Sequence, residues 1–382
     1  MLRSKDQSSN SHIEILRNYK DITADGPAGR YVASLMRQGA SSYVQSAHIA
    51  IRGLLVDGQL LPLVINPGTN TDAAVWSPYA HYYQYTLEEF CKRHAWITSA
   101  SVQWLASPFG AALRVFSFDK VLFVNNWLLA TNPGLRLSSA QIRAVTHRLV
   151  KEYPEFAIIF RSVNPVLDES VYGALVENGY RLVRSRRVYL LDGRGTQHLR
   201  RHNTRRDLEL LKSSPYQVIG CHTNLEMHAS RMAELYRSLY IDKHSRLNPH
   251  FDSEFFRLTL KENVLTYWAL SKDGRIDAFI GFFLQDNLMS AAIMGYDQNP
   301  SRKFGLYRAA MALLISSATE RRLVLNLGGG AGQFKMLRGA VPTEEFDAVY
   351  DRHLPVARRL PWTALRLVGL LRAATESRTP GS

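Results

Sequence analysis

Leu323-Val324-Leu325-Asn326-Leu327-Gly328-Gly329-Gly330-Ala331-Gly332-Gln333-Phe334-Lys335-Met336-Leu337-Arg338-Gly339 is the stretch on which the fold turns. An apolar run after a helical pattern reads as a buried strand. Asn326 ends it. The glycines that follow let backbone approach a ligand closely, or take positive φ, where a Cβ would clash. A Phe-Lys pair and a closing glycine complete the segment.

Two enzyme classes place such a stretch differently. In a methyltransferase, Asn-Leu-Gly-Gly-Gly-Ala-Gly after a strand looks like the cofactor loop, which opens its domain. Only 50 residues follow Gly332, too few for the strands and helices still required. In an acyltransferase the same strand lies near the end of the fold, and that position favours the second class.

Working outward, the upstream pattern supports a late strand. The sequence predicts strands at Tyr216 to Cys221, Val264 to Leu270, Ala278 to Leu284 and Leu288 to Gly295, with a hairpin across Lys272-Asp273-Gly274. Helices are predicted at His228 to Ile241, Asp252 to Lys261 and Gly305 to Glu320. The first half reads similarly. A helix at Ala28 to Met36 precedes two apolar runs, 49–56 and 60–65, joined by the hairpin signal Asp57-Gly58. A helix at Leu87 to Ala95 and strands at Val121 to Val124 and Trp127 to Ala130 follow. Ser138 and Gln141 form a capping box for a helix to about Tyr153. Phe156 to Phe160 reads as a buried strand, Ser170 to Asn178 as a helix closed by Gly179, and Tyr180 to Leu191 as a strand pair. Between 79 and 85 stand Tyr79, Tyr82, Tyr83 and Tyr85, which either line a pocket or cover a sheet edge. Asp192-Gly193-Arg194-Gly195 marks a boundary. The expected division is 1–195, 196–350 and a tail, 351–382.

The second half resembles the GNAT superfamily, in particular its FemABX and BioF2-like acyltransferase branch. The resemblance covers the ordered elements from Thr196 to Tyr350. It rests on the basic segment His198 to Asp207, on the Gly328 to Lys335 strand end, and on Arg302-Lys303-Phe304-Gly305-Leu306-Tyr307. That last segment matches the first and fourth positions of the acyl-donor loop Arg/Gln-x-x-Gly-x-Gly/Ala, and departs where Tyr307 replaces a small residue. The resemblance implies an α/β fold of two GNAT-like domains, each a mixed, mostly antiparallel sheet flanked by helices, the first degenerate. It implies an N-acyltransferase drawing on acyl-CoA, acetyl-CoA above all, with an amine acceptor on a small molecule, an amino sugar or a cell-envelope precursor.

The donor-binding residues are then Arg302, Lys303, Gly305 and Tyr307. A helix N-terminus with unpaired amides favours a pyrophosphate there, and the two cations add charge-assisted hydrogen bonds. Lys335 matches a residue that lies beside the transferring group in the branch, which implies stabilisation of negative charge. Tyr296 and Asp297 follow the third meander strand and complete the expected catalytic set, Asp297 as a proton acceptor or as a polar turn. Asp242, His244, Arg246, Asn326, Gly329 and Gly330 are the expected acceptor-binding residues, with His244 either a base or a solvated loop histidine. No metal is called for.

Composition bounds the alternatives. The net charge is +14 over 382 residues, which suits phosphate-bearing partners or an arginine-rich surface. Cys91 and Cys221 form neither a disulfide framework nor a zinc ribbon and suit a cytoplasmic protein. The N-terminus lacks the apolar core of a signal peptide. An aminoacyl-tRNA-dependent transferase is the first rival, because Arg200 to Arg206 fits tRNA phosphates; no long coiled-coil pattern accompanies it. A non-enzymatic basic binding module is the second. In the tail, arginines alternate with leucines around Trp362. Such a helix either lies in a membrane interface, peripheral to its inner face, or packs on its own domain.

Overall fold

The computed structural model describes residues 11–24, 26–45, 47–69, 71–94, 99–220, 224–299 and 304–376. Its strands are β1 (Ile13–Leu16), β2 (Val44–Gln45), β3 (Ala50–Val56), β4 (Gln59–Pro67), β5 (Lys120–Val124), β6 (Ala157–Val163) and β7 (Arg181–Asp192) in the first half. The second half holds β8 (Gln217–Gly220), β9 (His250–Phe251), β10 (Thr266–Lys272), β11 (Arg275–Gln285), β12 (Leu288–Tyr296), β13 (Val324–Asn326) and β14 (Val341–Tyr350). The helices are α1 (Pro27–Gln38), α2 (Thr86–Arg93), α3 (Ser99–Val115), α4 (Ser139–Glu152), α5 (Glu169–Glu177), α6 (His202–Lys212), α7 (Ala229–Tyr236), α8 (Ser253–Lys261), α9 (Leu306–Glu320), α10 (Gly332–Met336) and α11 (Val356–Glu376). Two π-helical segments, Tyr79–Tyr85 and Arg237–His244, add to them.

Twelve strands form one mixed sheet in the order β1-β3-β4-β5-β6-β14-β7-β13-β12-β11-β10-β8. Each half is an antiparallel meander that ends in a parallel pair: β5 with β6, β12 with β13. A helix makes the crossover each time, α4 in the first half and α9 in the second, as a parallel pair requires. The halves interlock at the centre. β14, from the second half, lies between β6 and β7 of the first, and β7 pairs with β13 of the second. Each half therefore completes its sheet with a strand of the other.

Helices cover both faces. One face buries a cluster with Tyr31 and Leu35 of α1, Met232 of α7, Phe255 of α8 and Trp362 of α11. The opposite face packs Ile142 and Val145 of α4 and Leu175 of α5 in the first half, and Leu314 of α9 in the second. Among the described residues no helix is long and apolar enough to cross a membrane.

Local chemistry fixes the turns. Asp57 and Gly58 both have positive φ, 46° and 86°, as do Asp273 and Gly274 at 51° and 76°. Both hairpins form where Asp-Gly predicts them. The capping box at Ser138 and Gln141 is present.

Several expectations are corrected. Trp127 to Ala130 is not a strand: Leu128 takes φ 62°, the Trp127 amide donates to Asn132 Oδ1 at 3.0 Å, and the Leu128 amide to Asn126 Oδ1 at 2.9 Å. Side-chain oxygens there outcompete a ladder. Tyr180 to Leu191 is one strand, not two. β14 falls where no strand is predicted, and α3 where no helix is. The predicted helix His228 to Ile241 turns π-helical at Arg237. Cys221, at the end of a predicted strand, lies outside the described residues.

Candidate active site

β13 stops while β12 runs on. Their ladder holds three residue pairs, Leu288 with Val324 to Ser290 with Asn326, and β12 then continues to Tyr296. Opposite, β11 pairs Phe282 with Ala291 but Gly281 with Ile293, so Ala292 is the extra residue of a β-bulge. A bulge bends and twists its strand. Here it comes two residues after the last pair, just past the point where β13 ends at Asn326. Past Ser290 this edge of β12 has left its ladder with β13, and the glycine loop runs beside it, a Cβ on Gly328 lying 3.8 Å from the Ala291 carbonyl oxygen; this is the gap between the two strands.

The loop is built by its neighbours. Asn326 Oδ1 accepts the Gly328 amide at 2.9 Å, and Gly328, Gly330 and Ala331 take positive φ. Lys335, on α10, folds back underneath. Its ammonium donates to the carbonyls of Leu327 at 2.8 Å, Gly328 at 3.1 Å and Gly329 at 2.7 Å, with the Tyr189 ring 5.5 Å away. Lys335 is 3 % exposed. Burial, and then the charge of Arg186, push its pKa down to about 7. The three carbonyls oppose that shift, because only the charged form offers three N–H groups. Gly332 is forced by packing: a Cβ there would lie 1.9 Å from the Tyr189 hydroxyl.

Aromatic rings flank the gap. Tyr307, on the first turn of α9, sits between Tyr296 at 5.8 Å and Phe334 at 4.8 Å, ring centre to ring centre. It fills the place where the donor-loop pattern has a small residue. Arg338 stacks on Phe334 at 3.2 Å. Asp207 of α6, 1 % exposed, binds Arg308 of α9 at 2.6 Å and Arg338 at 2.5 Å, and so ties α6, α9 and the residues after α10 together. Gly305 caps α9 with φ 62°.

Both π-helical segments deliver tyrosines to the same space. Such segments recur at functional sites. Burial first, and then neighbouring Tyr307, Tyr296 and Tyr85, push the Tyr240 phenol well above its ordinary range. Tyr85 is raised by burial and by Glu89 and Glu88. Burial pushes Tyr307 up to about 12 and also raises Tyr296. All four phenols stay protonated at neutral pH and can donate O–H.

Arg186 of β7 is the cation at their centre. Its Nε donates to Glu345 Oε2 of β14 at 2.7 Å and its Nη2 to Thr131 Oγ1 at 3.1 Å. Beyond it lies a polar layer. His81 Nε2 and Ser185 Oγ share a hydrogen bond at 3.0 Å, and Tyr82 donates to Asp347 Oδ2 at 2.8 Å. Burial, Arg161 and Arg186 push His81 down to about 3, so its imidazole is neutral.

Not every expected site residue joins this group. Lys335, Tyr296, Tyr307, Asn326, Gly329 and Gly330 surround the gap and the loop. Asp297 is bound instead by Arg231 at 2.7 Å and Arg275 at 3.0 Å. Burial raises its pKa, but the Asn299 amide and the two arginines outweigh it and leave the carboxyl below its usual range. A carboxylate so held is a poor proton acceptor. Asp242, His244 and Arg246 are exposed, Asp242 3.9 Å from Arg237 and the His244 ring 6.0 Å from that of Tyr240. Arg302 and Lys303 lie outside the described residues. Arg186 and Tyr85 are not among the expected site residues; Tyr240 opens the segment, 240–248, that the sequence assigns to acceptor binding. The tyrosine-rich stretch carried a signal for Tyr85; Arg186 read as one of several basic residues on a strand. Among the described residues, no three His, Cys, Asp or Glu side chains gather as a metal site would need.

No family model and no curated protein matches the chain. Among solved structures, it is similar to L-PGS from Bacillus licheniformis, at 16 % identity and a TM-score of 0.43 over 60 % of this chain and 78 % of that one. It is similar to FemX, at 10 % identity and a TM-score of 0.44 over 56 % and 78 %. A tandem GNAT protein from the clavulanic acid biosynthesis pathway aligns over 88 % of this chain and 98 % of its own, at 11 % identity and a TM-score of 0.38.

Proposed function

We propose that the protein is an N-acyltransferase of GNAT type that moves an acyl group from acyl-CoA to an amine. The observation that carries this is the edge of β12 that runs on to Tyr296 after its last pair with β13. The pantetheine arm is an extended chain with two amides, and such a strand edge pairs with an extended chain as it would with another strand. The thioester then falls beside the glycine loop and the tyrosines.

In this reading Arg302, Lys303 and the Gly305 turn hold the donor's phosphates, and Tyr307 and Tyr296 close over its arm. The acceptor nitrogen attacks the thioester carbon, the carbon–sulfur bond breaks, and the proton that the nitrogen loses passes through water to the tyrosine that has protonated the thiolate. A protonated Tyr296 or Tyr307 donates O–H to the departing thiolate. Lys335 shapes the loop and supplies positive charge near the developing oxyanion. Arg186, Tyr85 and Tyr240, with Asp242, His244 and Arg246 at the rim, receive an acceptor bearing an anionic group, such as an amino acid, an amino sugar phosphate or a cell-envelope precursor. The protein then works in the cytoplasm, with the tail on the inner face of the membrane.

Calorimetric titration with acetyl-CoA, longer acyl-CoAs and bulk aminoacyl-tRNA tests the donor. Binding of one or more acyl-CoAs, lost with Arg302→Ala and Lys303→Ala together, is the expected result. Binding of aminoacyl-tRNA alone moves the protein to the tRNA-dependent class, and binding of neither leaves a non-enzymatic module.

A further inference from the structure

α11 is apolar on two sides. Its inward line, Trp362, Leu365 and Gly369, docks on the sheet: Trp362 is 1 % exposed, with Phe118 at 4.4 Å and Tyr82 at 6.3 Å, and a Cβ on Gly369 would lie 3.4 Å from Arg184 Cβ. Its outward line, Leu360, Ala364, Leu367 and Leu371, is exposed. Spacings of four, three and four place these on one stripe of a helix. The inward line alone satisfies the core, so the fold does not require the outward leucines.

α3 repeats the pattern. Ala106, Gly110 and Leu113 face inward: the Tyr83 hydroxyl donates to the Ala106 carbonyl at 3.1 Å, and Leu113 is 3 % exposed. Trp104, Pro108, Ala111 and Val115 form the outward stripe with the same spacing, Trp104 being 74 % and Val115 78 % exposed. The two helices lie over the same face of the sheet, because Leu113, Phe118 and Trp362 share one buried cluster. Their ends are neighbours: Arg358 Nη2 donates to the Ser117 carbonyl at 3.2 Å, just beyond α3.

We propose that the outward stripes of α3 and α11 form one docking surface for an anionic lipid membrane. This deepens the peripheral-membrane part of the reading above by naming the surface and adding α3 to it. Charge selects the occupant. In sequence α11 has four arginines and a single acid, Glu376, and α3 has Arg114 and no acid; of these Arg366 and Arg114 are exposed, while Arg358 is held by backbone carbonyls. A second copy of the chain would bring its own +14 charge against these arginines. Anionic head groups neutralise the arginines while the leucines, Trp104 and Val115 enter the acyl boundary.

Flotation with vesicles of phosphatidylcholine, alone and mixed with phosphatidylglycerol, tests it on the full chain. The parent is expected to float with the mixed vesicles only and to be released by high salt. Arg366→Gln with Arg372→Gln is expected to weaken binding roughly thirtyfold, at about one kcal/mol per arginine. Leu367→Gln with Leu371→Gln, and separately Trp104→Gln, are expected to weaken it while leaving thermal unfolding unchanged, because the replaced side chains are exposed. Equal binding to both vesicle types, no binding to either, or sedimentation as a dimer that the glutamine variants dissociate each overturns the proposal. Acyl-CoA titration without vesicles, run on the same samples, separates a failed surface from a failed donor site.

Discussion

Lys335 Nζ lies 2.7 Å from the carbonyl oxygen of Gly329, and this contact makes the lysine part of the loop it serves. With the Leu327 and Gly328 carbonyls it takes every N–H that an ammonium has. Lys335→Met keeps much of the stem and strips the donors. Each buried acceptor left unpaired costs about 1–3 kcal/mol, so thermal unfolding is expected to fall by several degrees. Turnover is expected to drop on the order of 100-fold, more than donor affinity does. Unchanged turnover in a folded variant rejects the catalytic assignment.

The Arg186–Glu345 pair joins a strand of each half. Glu345 is 2 % exposed, so removing its partner strands a buried carboxylate. Arg186→Met is expected to cost about 3–5 kcal/mol in denaturant unfolding, and Arg186→Met with Glu345→Leu to recover much of that loss. A double variant no more stable than the single one shows that the pair is not the source of the cost. Acceptor KM in the double variant then reads the role of Arg186 apart from stability.

Local features were legible and central ones were not. The Asp57-Gly58 and Asp273-Gly274 hairpins, the Ser138 box and the Gly179 stop need only nearest neighbours, and all formed. β14 escaped notice because Glu344, Glu345 and Asp347 look like surface residues. In the folded chain Glu344 accepts from Arg184 at 2.7 Å and Glu345 from Arg186, across about 160 residues of sequence. No periodicity announces an ion-pair ladder between distant strands, and with β14 unseen the interlocking of the halves stayed unseen too. The bulge at Ala292 is a one-residue register shift, which leaves no compositional trace. Trp127 to Ala130 misled for the opposite reason: its apolar residues are buried, but in a loop held by asparagines.

Tyr307 separates two roles for the phenols at the gap. Its hydroxyl is expected to donate to the departing thiolate, while its ring packs between Tyr296 and Phe334. Tyr307→Phe keeps the ring and deletes the donor. Turnover is expected to fall about 10- to 100-fold with donor affinity within twofold. With the phenol pushed up to about 12 by burial, the parent's activity is expected to show no loss from this group up to about pH 10. If Tyr307→Phe leaves turnover intact and the matching Tyr296→Phe does not, the donor is Tyr296; if neither matters, leaving-group protonation comes from water.

Asp119 governs the segment that presents Tyr82 and Tyr85. Its carboxylate accepts from the Tyr79 amide at 2.8 Å and from Ser77 Oγ at 2.7 Å, at the start of the π-helical stretch. Burial raises its pKa from 3.8 to about 7, against the lowering effect of those two donors and of Arg114. The folded value stands above the unfolded one. Between about pH 4 and pH 7 the folded chain therefore holds a proton that the unfolded chain has released, and stability falls as pH rises through that window. Asp119→Asn cannot ionise and lacks this dependence. The parent is expected to lose stability relative to the variant from pH 4 to pH 7, on the order of a few kcal/mol, and the difference is expected to level off above pH 7. Denaturant unfolding of both proteins at half-unit steps measures it. A difference that stays flat across the window shows that Asp119 is ionised in the fold and that its two donors outweigh burial.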